Sequence, residues 1–379
     1  MPHWDDAARW LTALRAPGLG GRGLRQAVMR YGNIDALFEA AATGDRALPA
    51  GCRRALLHPP SEALAADLEW LAAGHHHLLV FTDPAYPPQL AECPGAPAAL
   101  FVAGDPGVLY APQIAIVGSR NASAGGLAHA RRFATELAAG GMTITSGLAA
   151  GIDAAAHEAA LEAGGATIAV LGTGVDRVYP ARHIELARRI VRHGALVSEL
   201  PLGAPPIAGH FPARNRIISG LSLAVVVVEA GIRSGSLITA RHAADQGREV
   251  FAIPGSIDHA LAKGCHQLLR DGARLAGDGA EVLAGVAAQA GQLAGQLRAR
   301  LTALDNTPPA DAAPDDPEYR RLWAAIGHDP VAIDELAERS GLTVAALSSM
   351  LLILELESRV VHLPGGLWQR APGGLAPGS

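Results

Sequence analysis

Six short apolar runs constrain this chain more than any other feature: Ile114–Val117, Thr143–Thr145, Thr167–Leu171, Leu196–Ser198, Leu223–Val228 and Glu249–Ile253, each separated from the next by a helix-length stretch. Runs this short, rich in Val and Ile and without polar alternation, suit strands buried on both faces. Strands that alternate with helices can satisfy their edges only in a parallel sheet covered by helices on both sides. The expected class is therefore α/β, with an extended Rossmann-like, doubly wound core. Two further strands, Leu78–Phe81 and Leu100–Val102, are expected ahead of it, around a loop containing Asp83, Tyr86, Pro87 and Pro88.

Around this core the pattern changes. Residues 1–72 show helical faces: Trp4, Ala7, Leu11 and Leu14; then Leu24, Ala27, Val28 and Tyr31; then Ile34, Leu37, Phe38 and Ala41 behind a cap at Asn33. A further helix is expected from Ser61. The turn Pro17-Gly18-Leu19-Gly20 resembles the hairpin of helix-hairpin-helix and SAM-like domains, although a helix–helix turn without a ligand is the simpler account. The core is expected over 78–286 and a linker over 287–318, where NTPPADAAPDDPE carries too many prolines and acids to pack. Residues 319–371 read as two helices divided at Gly341, with Thr343 as a cap, and then a hairpin around Pro364-Gly365-Gly366. That is the order of a winged helix. Two or three domains suit a chain of 379 residues.

Composition removes several functional classes. No apolar run approaches the roughly 20 residues of a membrane span. The opening MPHWDDAARW has two acids and no apolar segment, so no signal peptide is expected. Cys52, Cys93 and Cys265 are scattered and odd in number; they suit reduced thiols in a cytoplasmic protein rather than a zinc site or disulfide framework. A net charge of -5 argues against a protein that coats duplex. Yet Ile207–Arg241 carries Arg214, Arg216, Arg233 and Arg241 against Glu229 alone, and Lys263 is the sole lysine of the chain. Phosphate contacts must come from arginine, hydroxyls and backbone amides.

Three glycine-rich turns are the candidate sites. Gly118-Ser119-Arg120 follows the first core strand, where doubly wound proteins bind phosphate, with Arg120 as the clamp. A dinucleotide enzyme would show GxGxxG here and an acid after the second strand, and this chain has Ser146-Gly147 at that point. Asp153 and His157 lie one helical turn apart, a spacing that permits a metal but supplies too few ligands. Asp153 as a helix cap and His157 as a buried hydrogen-bonding group is the simpler account, and no metal or cofactor is expected. Phe211, Arg214, Asn215 and Arg216 head a short helix, and Ser234-Gly235-Ser236 opens another as a second anion nest. Ser119, Ser146 and Ser236 lack a GxSxG elbow or a base at a recognisable spacing, so no catalytic residue is assigned. An aromatic ring, guanidinium groups and free amides together suit a phosphodiester chain with stackable bases, which is to say single-stranded nucleic acid.

GSRNAS from Gly118, SGLAAGIDAAAH from Ser146, TIAVLGTGVDRVYP from Thr167, FPARNRIISGLS from Phe211, VVVEAGIRSGSLITA from Val226 and GREVFAIPG from Gly247 occur in this order. Together they closely resemble the DprA (Smf) family of DNA-processing proteins. The resemblance implies a SAM-like module, an extended Rossmann domain and a C-terminal winged helix. It also implies a non-catalytic, dimeric mediator that binds and protects incoming single-stranded DNA in natural transformation and helps RecA recombinase load onto it. By motif, Arg120 would hold a phosphate, Phe211 would stack on a base, and Arg214 and Asn215 would line the same pocket. The core also resembles the lysine-decarboxylase-like nucleotide phosphoribohydrolases, an enzymatic alternative. Their PGGxGTxxE loop reads GIRSGSLITA here, without the glutamate. For the winged helix, Thr343–Ser358 contains no Arg or Lys, which disfavours major-groove reading and favours a protein-interaction or regulatory role.

Overall fold

The structure is a computed structural model that describes residues 6–305, 316–327, 329–356, 359–363 and 366–370. Trp4, most of the proline-rich linker and the Pro364-Gly365 hairpin tip lie outside the described residues. Contacts divide the chain into two compact units that meet between Ala294 and Gly295.

The first unit opens with five helices: α1 (Asp6–Arg15), α2 (Gly20–Tyr31), α3 (Ile34–Ala42), α4 (Ala50–Leu57) and α5 (Ser61–Ala72). Asn33 caps α3 by accepting from the Ala36 amide at 2.8 Å. Trp10, Leu24, Leu37 and Leu56 form their core, and this core continues into Val80 and Ala99 of the sheet. Then follow β1 (His76–Val80), the short α6 (Pro88–Ala91), β2 (Ala99–Gly104), β3 (Gln113–Val117), α7 (Ala124–Ala139), β4 (Thr143–Ser146), α8 (Ile152–Glu162), β5 (Thr167–Val170), α9 (Ile184–His193) and β6 (Gly194–Ser198). The unit continues with α10 (His210–Leu221), β7 (Ala224–Val227), α11 (Ser236–Asp245), β8 (Glu249–Ala252), α12 (Lys263–Arg270), β9 (Arg274–Leu275) and α13 (Gly279–Asp305), whose residues from Gly295 onward belong to the second unit.

The nine strands form one sheet in the order β1-β2-β6-β5-β4-β3-β7-β8-β9. The run β6-β5-β4-β3-β7-β8-β9 is parallel, while β1 and β2 pair antiparallel at one edge. Side chains alternate as the pleat requires. Ala115, Val117, Val225 and Val227 join the helices α10–α12 on one face, whereas Ile114, Ile116, Val226 and Val228 join α7, α8 and α13 on the other. From β3 the chain builds outward first through β4, β5 and β6 and later through β7, β8 and β9. The winding therefore reverses between β3 and β7, and a crevice opens at the carboxyl ends of these strands, the place where open α/β sheets bind ligands.

Two expectations need correction. The segment from residue 287, expected as linker, continues as helix α13 to Asp305, because Ala, Gln and Leu are good helix formers and Val282, Val286 and Leu293 give α13 a buried face. The two-residue strand β9 and the helix α4 were not expected at all. β9 is exposed along its length and has no apolar pattern to reveal it.

In the second unit, α14 (Pro317–Ala325), β10 (Val331–Ala332), α15 (Ile333–Ser340), α16 (Val344–Leu356), β11 (Val360–Leu363) and β12 (Leu367–Arg370) make a winged helix with the sheet order β10-β12-β11. Gly341 ends α15 in the left-handed region, at φ 68°. Leu322, Trp323, Leu336, Leu347 and Leu351 fill its core. The Arg359 and Arg370 guanidinium groups each lie over the Trp323 ring, 4.6 Å from its centroid.

Candidate nucleic-acid interface

A cavity of about 590 Å³ occupies the crevice between the ends of β3 and β7. Its walls bring together Gly118, Ser119, Arg120, Phe211, Arg214, Asn215, Ser234, Gly235 and Ser236, all of them candidates from sequence. It also contains Asn121, Asp153, Arg233 and Thr239.

Each wall has a local cause. Gly118 ends β3 where a Cβ would press on the Ile152 side chain at 2.6 Å, so only glycine lets the turn pass this close to α8. Ser119 gives its amide to the Glu229 carbonyl at 2.8 Å and its hydroxyl accepts from the Asn121 amide at 3.1 Å. Held this way, the turn projects Arg120 outward with its guanidinium 5.6 Å from the centre of the Phe211 ring. Phe211 in turn rests on Gly172, where a Cβ would meet its ring at 2.8 Å. Tyr179 completes the aromatic side: it is exposed, with its ring 5.4 Å from that of Phe211 and tilted by 44°. Asn215 bridges the two helix heads by accepting from Arg214 Nε at 3.1 Å and donating to the Gly235 carbonyl at 3.3 Å.

The head of α7 differs from what the turn's position suggests. The carboxylate of Glu229 occupies it, accepting from the Ser123 amide at 2.9 Å and from the Ser123 hydroxyl at 2.5 Å. The Ser123 hydroxyl accepts from the Gly126 amide in turn. The helix dipole that could have held a phosphate is met by the protein's own acid. At α11, Ser234 and Ser236 share a hydroxyl–hydroxyl bond of 2.7 Å.

Charge is concentrated at the floor. Arg214 is only 5% exposed, and its Nη1 has no hydrogen-bond partner among the described residues. Burial pulls its pKa down to about 10, with Asp153 opposing and Arg120 adding to the shift, so it remains a cation at neutral pH. A desolvated, unpaired guanidinium is costly unless an anion comes to it. Asp153 is also buried; its carboxylate accepts from the Gly147 amide at 3.1 Å and the Ala149 amide at 3.3 Å. Burial raises its pKa, and the nearby Arg214 opposes the rise.

Three candidates lie off the cavity. Ser146 is fully buried and donates to the Ile116 carbonyl at 2.6 Å. Gly147 stands behind Arg214, where a Cβ would land inside the guanidinium. Arg216 points away, with Nη1 and Nη2 on the Glu199 carboxylate at 2.6 and 2.5 Å and Nε on the Gly95 carbonyl at 2.8 Å. Conversely, Tyr179, Arg233 and Asn121 were not singled out. Arg233 was present only as charge in a basic stretch, and Tyr179 could have been found as the aromatic residue following the strand Thr167–Leu171.

His157 is sealed beneath this floor with Nδ1 at 2.7 Å from the Thr167 hydroxyl. Burial, helped by the positive field of Arg214 and His183, lowers its pKa to about 3. The unfolded chain protonates it near pH 6.5 and the folded chain does not, so stability present above pH 6.5 is lost as the pH falls toward 3, by up to about 1.4 kcal/mol per pH unit. Asp153, with its raised pKa, works in the opposite direction at the acid end. Between pH 6.5 and 5, His157→Gln should lose about 1.6 kcal/mol less stability than the unmodified protein. Parallel stability–pH curves in denaturant titrations would refute this.

Residues 77–287 match the family model described as DNA recombination-mediator protein A, and residues 306–366 match that of the DprA winged helix domain. Protein Smf of Escherichia coli (strain K12) is 44% identical over 313 residues, which cover 81% of this chain and 81% of that protein. DNA processing protein DprA of Streptococcus pneumoniae is 48% identical over 202 residues, covering 53% of this chain and 71% of that one. The X-ray structure of DNA processing protein A from Streptococcus pneumoniae superposes with a TM-score of 0.66 at 38% identity, covering 73% of this chain and 97% of that one. DNA processing protein A from Helicobacter pylori, described for its single-stranded DNA binding mode, superposes with a TM-score of 0.50 at 30% identity, covering 54% and 94%. With its core and its winged helix both matched, the chain belongs to the DNA recombination-mediator protein A family, the DprA/Smf DNA-processing proteins.

Proposed function

We propose that this protein binds single-stranded DNA in the cavity between β3 and β7 and acts as a non-catalytic, cytoplasmic mediator that protects the strand and helps RecA recombinase load onto it. The observation that carries the reading is an aromatic shelf beside buried positive charge with a free donor: Arg120 lies over the Phe211 ring, and the buried Nη1 of Arg214 has no hydrogen-bond partner among the described residues. A base can stack on the shelf whatever its identity, and a phosphate can meet the guanidinium groups. The single-stranded DNA binding described for the Helicobacter pylori relative supports the same ligand. The phosphoribohydrolase alternative is disfavoured because the loop Gly231–Ala240, GIRSGSLITA, lacks the glutamate that those enzymes carry. RecA as partner rests on the family relationship alone. A homodimer is part of the proposal: Ile232 and Ile257, 69% and 79% exposed, line a depression with Leu237, rimmed by Lys263, His266, Gln267 and Arg270, a surface that a second copy would cover. The winged helix is assigned a protein-interaction or regulatory role, since α16 has no basic side chain to read a groove.

Fluorescence anisotropy of labelled oligothymidine, single- and double-stranded, across a salt series tests the site. Single-strand binding should be tight, salt-sensitive and much stronger than duplex binding. Phe211→Ala should weaken it by about 5- to 100-fold, as loss of one stacked base implies, and Arg120→Ala should weaken it while flattening the salt dependence. Binding indifferent to both substitutions would remove the cavity from the DNA path.

A further inference from the structure

The charge and shape of the cavity select among the forms in which a strand can present its phosphate. Three guanidinium groups line it, from Arg120, Arg214 and Arg233, against the one carboxylate of Asp153. Arg120 and Arg233 are exposed at the mouth, whereas Arg214 is buried at the inner end. Val117, Ile218 and Thr239, which share the lining with Arg214, are at most 3% exposed. The excess of positive charge is therefore two or more. An internal phosphodiester brings a single negative charge, while a phosphate monoester brings about 1.5 to 2 near neutral pH. An internal phosphate must also lead chain away on both sides, whereas a terminal phosphate leads it away on one and can reach further toward the buried Arg214.

We propose that the cavity takes a nucleotide phosphate-first, as a terminal phosphate monoester directed at Arg214 with its base outward against Phe211, and so prefers phosphate-ended strands or free nucleoside monophosphates to internal phosphodiesters. This deepens the single-stranded DNA reading above and rests on it. Arg233, on the loop between β7 and α11, is the mouth residue that would share the second negative charge.

The test uses the full chain and short oligothymidines labelled internally, bearing a 5′-phosphate, a 3′-phosphate or hydroxyls at both ends, with dTMP and thymidine as competitors and a long oligothymidine as reference. One phosphorylated end should bind at least tenfold tighter than the hydroxyl-ended strand, or dTMP should displace the strand where thymidine does not; the first result assigns strand ends, the second free mononucleotides. Arg233→Ala, a change on an exposed loop, should cut that preference severalfold, and Arg214→Met should abolish it where the variant folds. Equal affinity for all three short strands, with dTMP no better than thymidine, would overturn this inference and leave the single-strand reading standing. Failure to bind even the long strand would overturn the reading itself.

Discussion

Glu199→Ala should be among the most destabilising single changes in the first unit, at about 3–5 kcal/mol, because it strands a guanidinium in the interior. Arg216 is 4% exposed, and Glu199 is its only carboxylate partner among the described residues. The arginine's other bonds, to the Gly95 and Ala213 carbonyls, satisfy hydrogens but not charge. Glu199 also lies against the N-terminal hairpin, its Oε2 2.9 Å from where a Cβ on Gly21 would stand, so the pair helps seat α2 on the sheet unit. Denaturant unfolding would show the loss. Adding Arg216→Met should recover much of it, since a paired charge exchanged for apolar bulk is close to neutral. The double variant should bind oligothymidine within about twofold of the unmodified protein, because Arg216 faces away from the cavity. A folded double variant that no longer binds would return Arg216 to the list of DNA contacts.

Gly147→Ala should reduce single-strand binding by more than tenfold although Gly147 lines no part of the cavity. The added methyl would fall within the Arg214 guanidinium, which has Gly147 behind it and the buried side chain of Ile218 among its neighbours in the wall. Overpacking of this kind costs about 1–3 kcal/mol, and the cheapest relief is to displace the arginine from its place at the floor. The affinity of Gly147→Ala, measured beside Gly291→Ala, where the added methyl would meet open space, separates this effect from a general loss of helix or turn geometry. Unchanged binding by a folded Gly147→Ala protein would show that the floor arginine is free to move.

The sheet was legible because its signal is local. Each strand from Gln113 to Ala252 begins and ends within two residues of its expected bounds, since apolar runs closed by turn residues leave little choice of register. Gly118 and Arg120 were legible for a related reason: residues at the carboxyl ends of parallel strands converge whatever the details of packing, and Phe211 was legible as the aromatic residue in the first turn of α10. Arg216 was not separable from Arg214 by sequence. They stand two positions apart on α10, about 200° around the helix, so one faces the cavity and the other faces Glu199. Only the contact with a residue 17 positions upstream decides which is which. Helix α13 was hidden because its alanines and glutamines carry little amphipathic pattern beyond Val282, Val286 and Leu293.

The carboxylate of Glu229 at the head of α7 has a further consequence. Many phosphate sites hold their ligand with main-chain amides, which no substitution can alter except by moving the backbone. Here the Ser119 and Ser123 amides of that turn are tied to Glu229, and in the proposed function the hold on a ligand would pass to Arg120, Arg214, Arg233 and a pair of serine hydroxyls. Single codon changes can raise or lower such a grip in small steps while the scaffold stays as it is. If, as proposed, the protein surrenders a strand to a partner, it needs an affinity that can be set finely and kept moderate, and side chains are where that adjustment can be made.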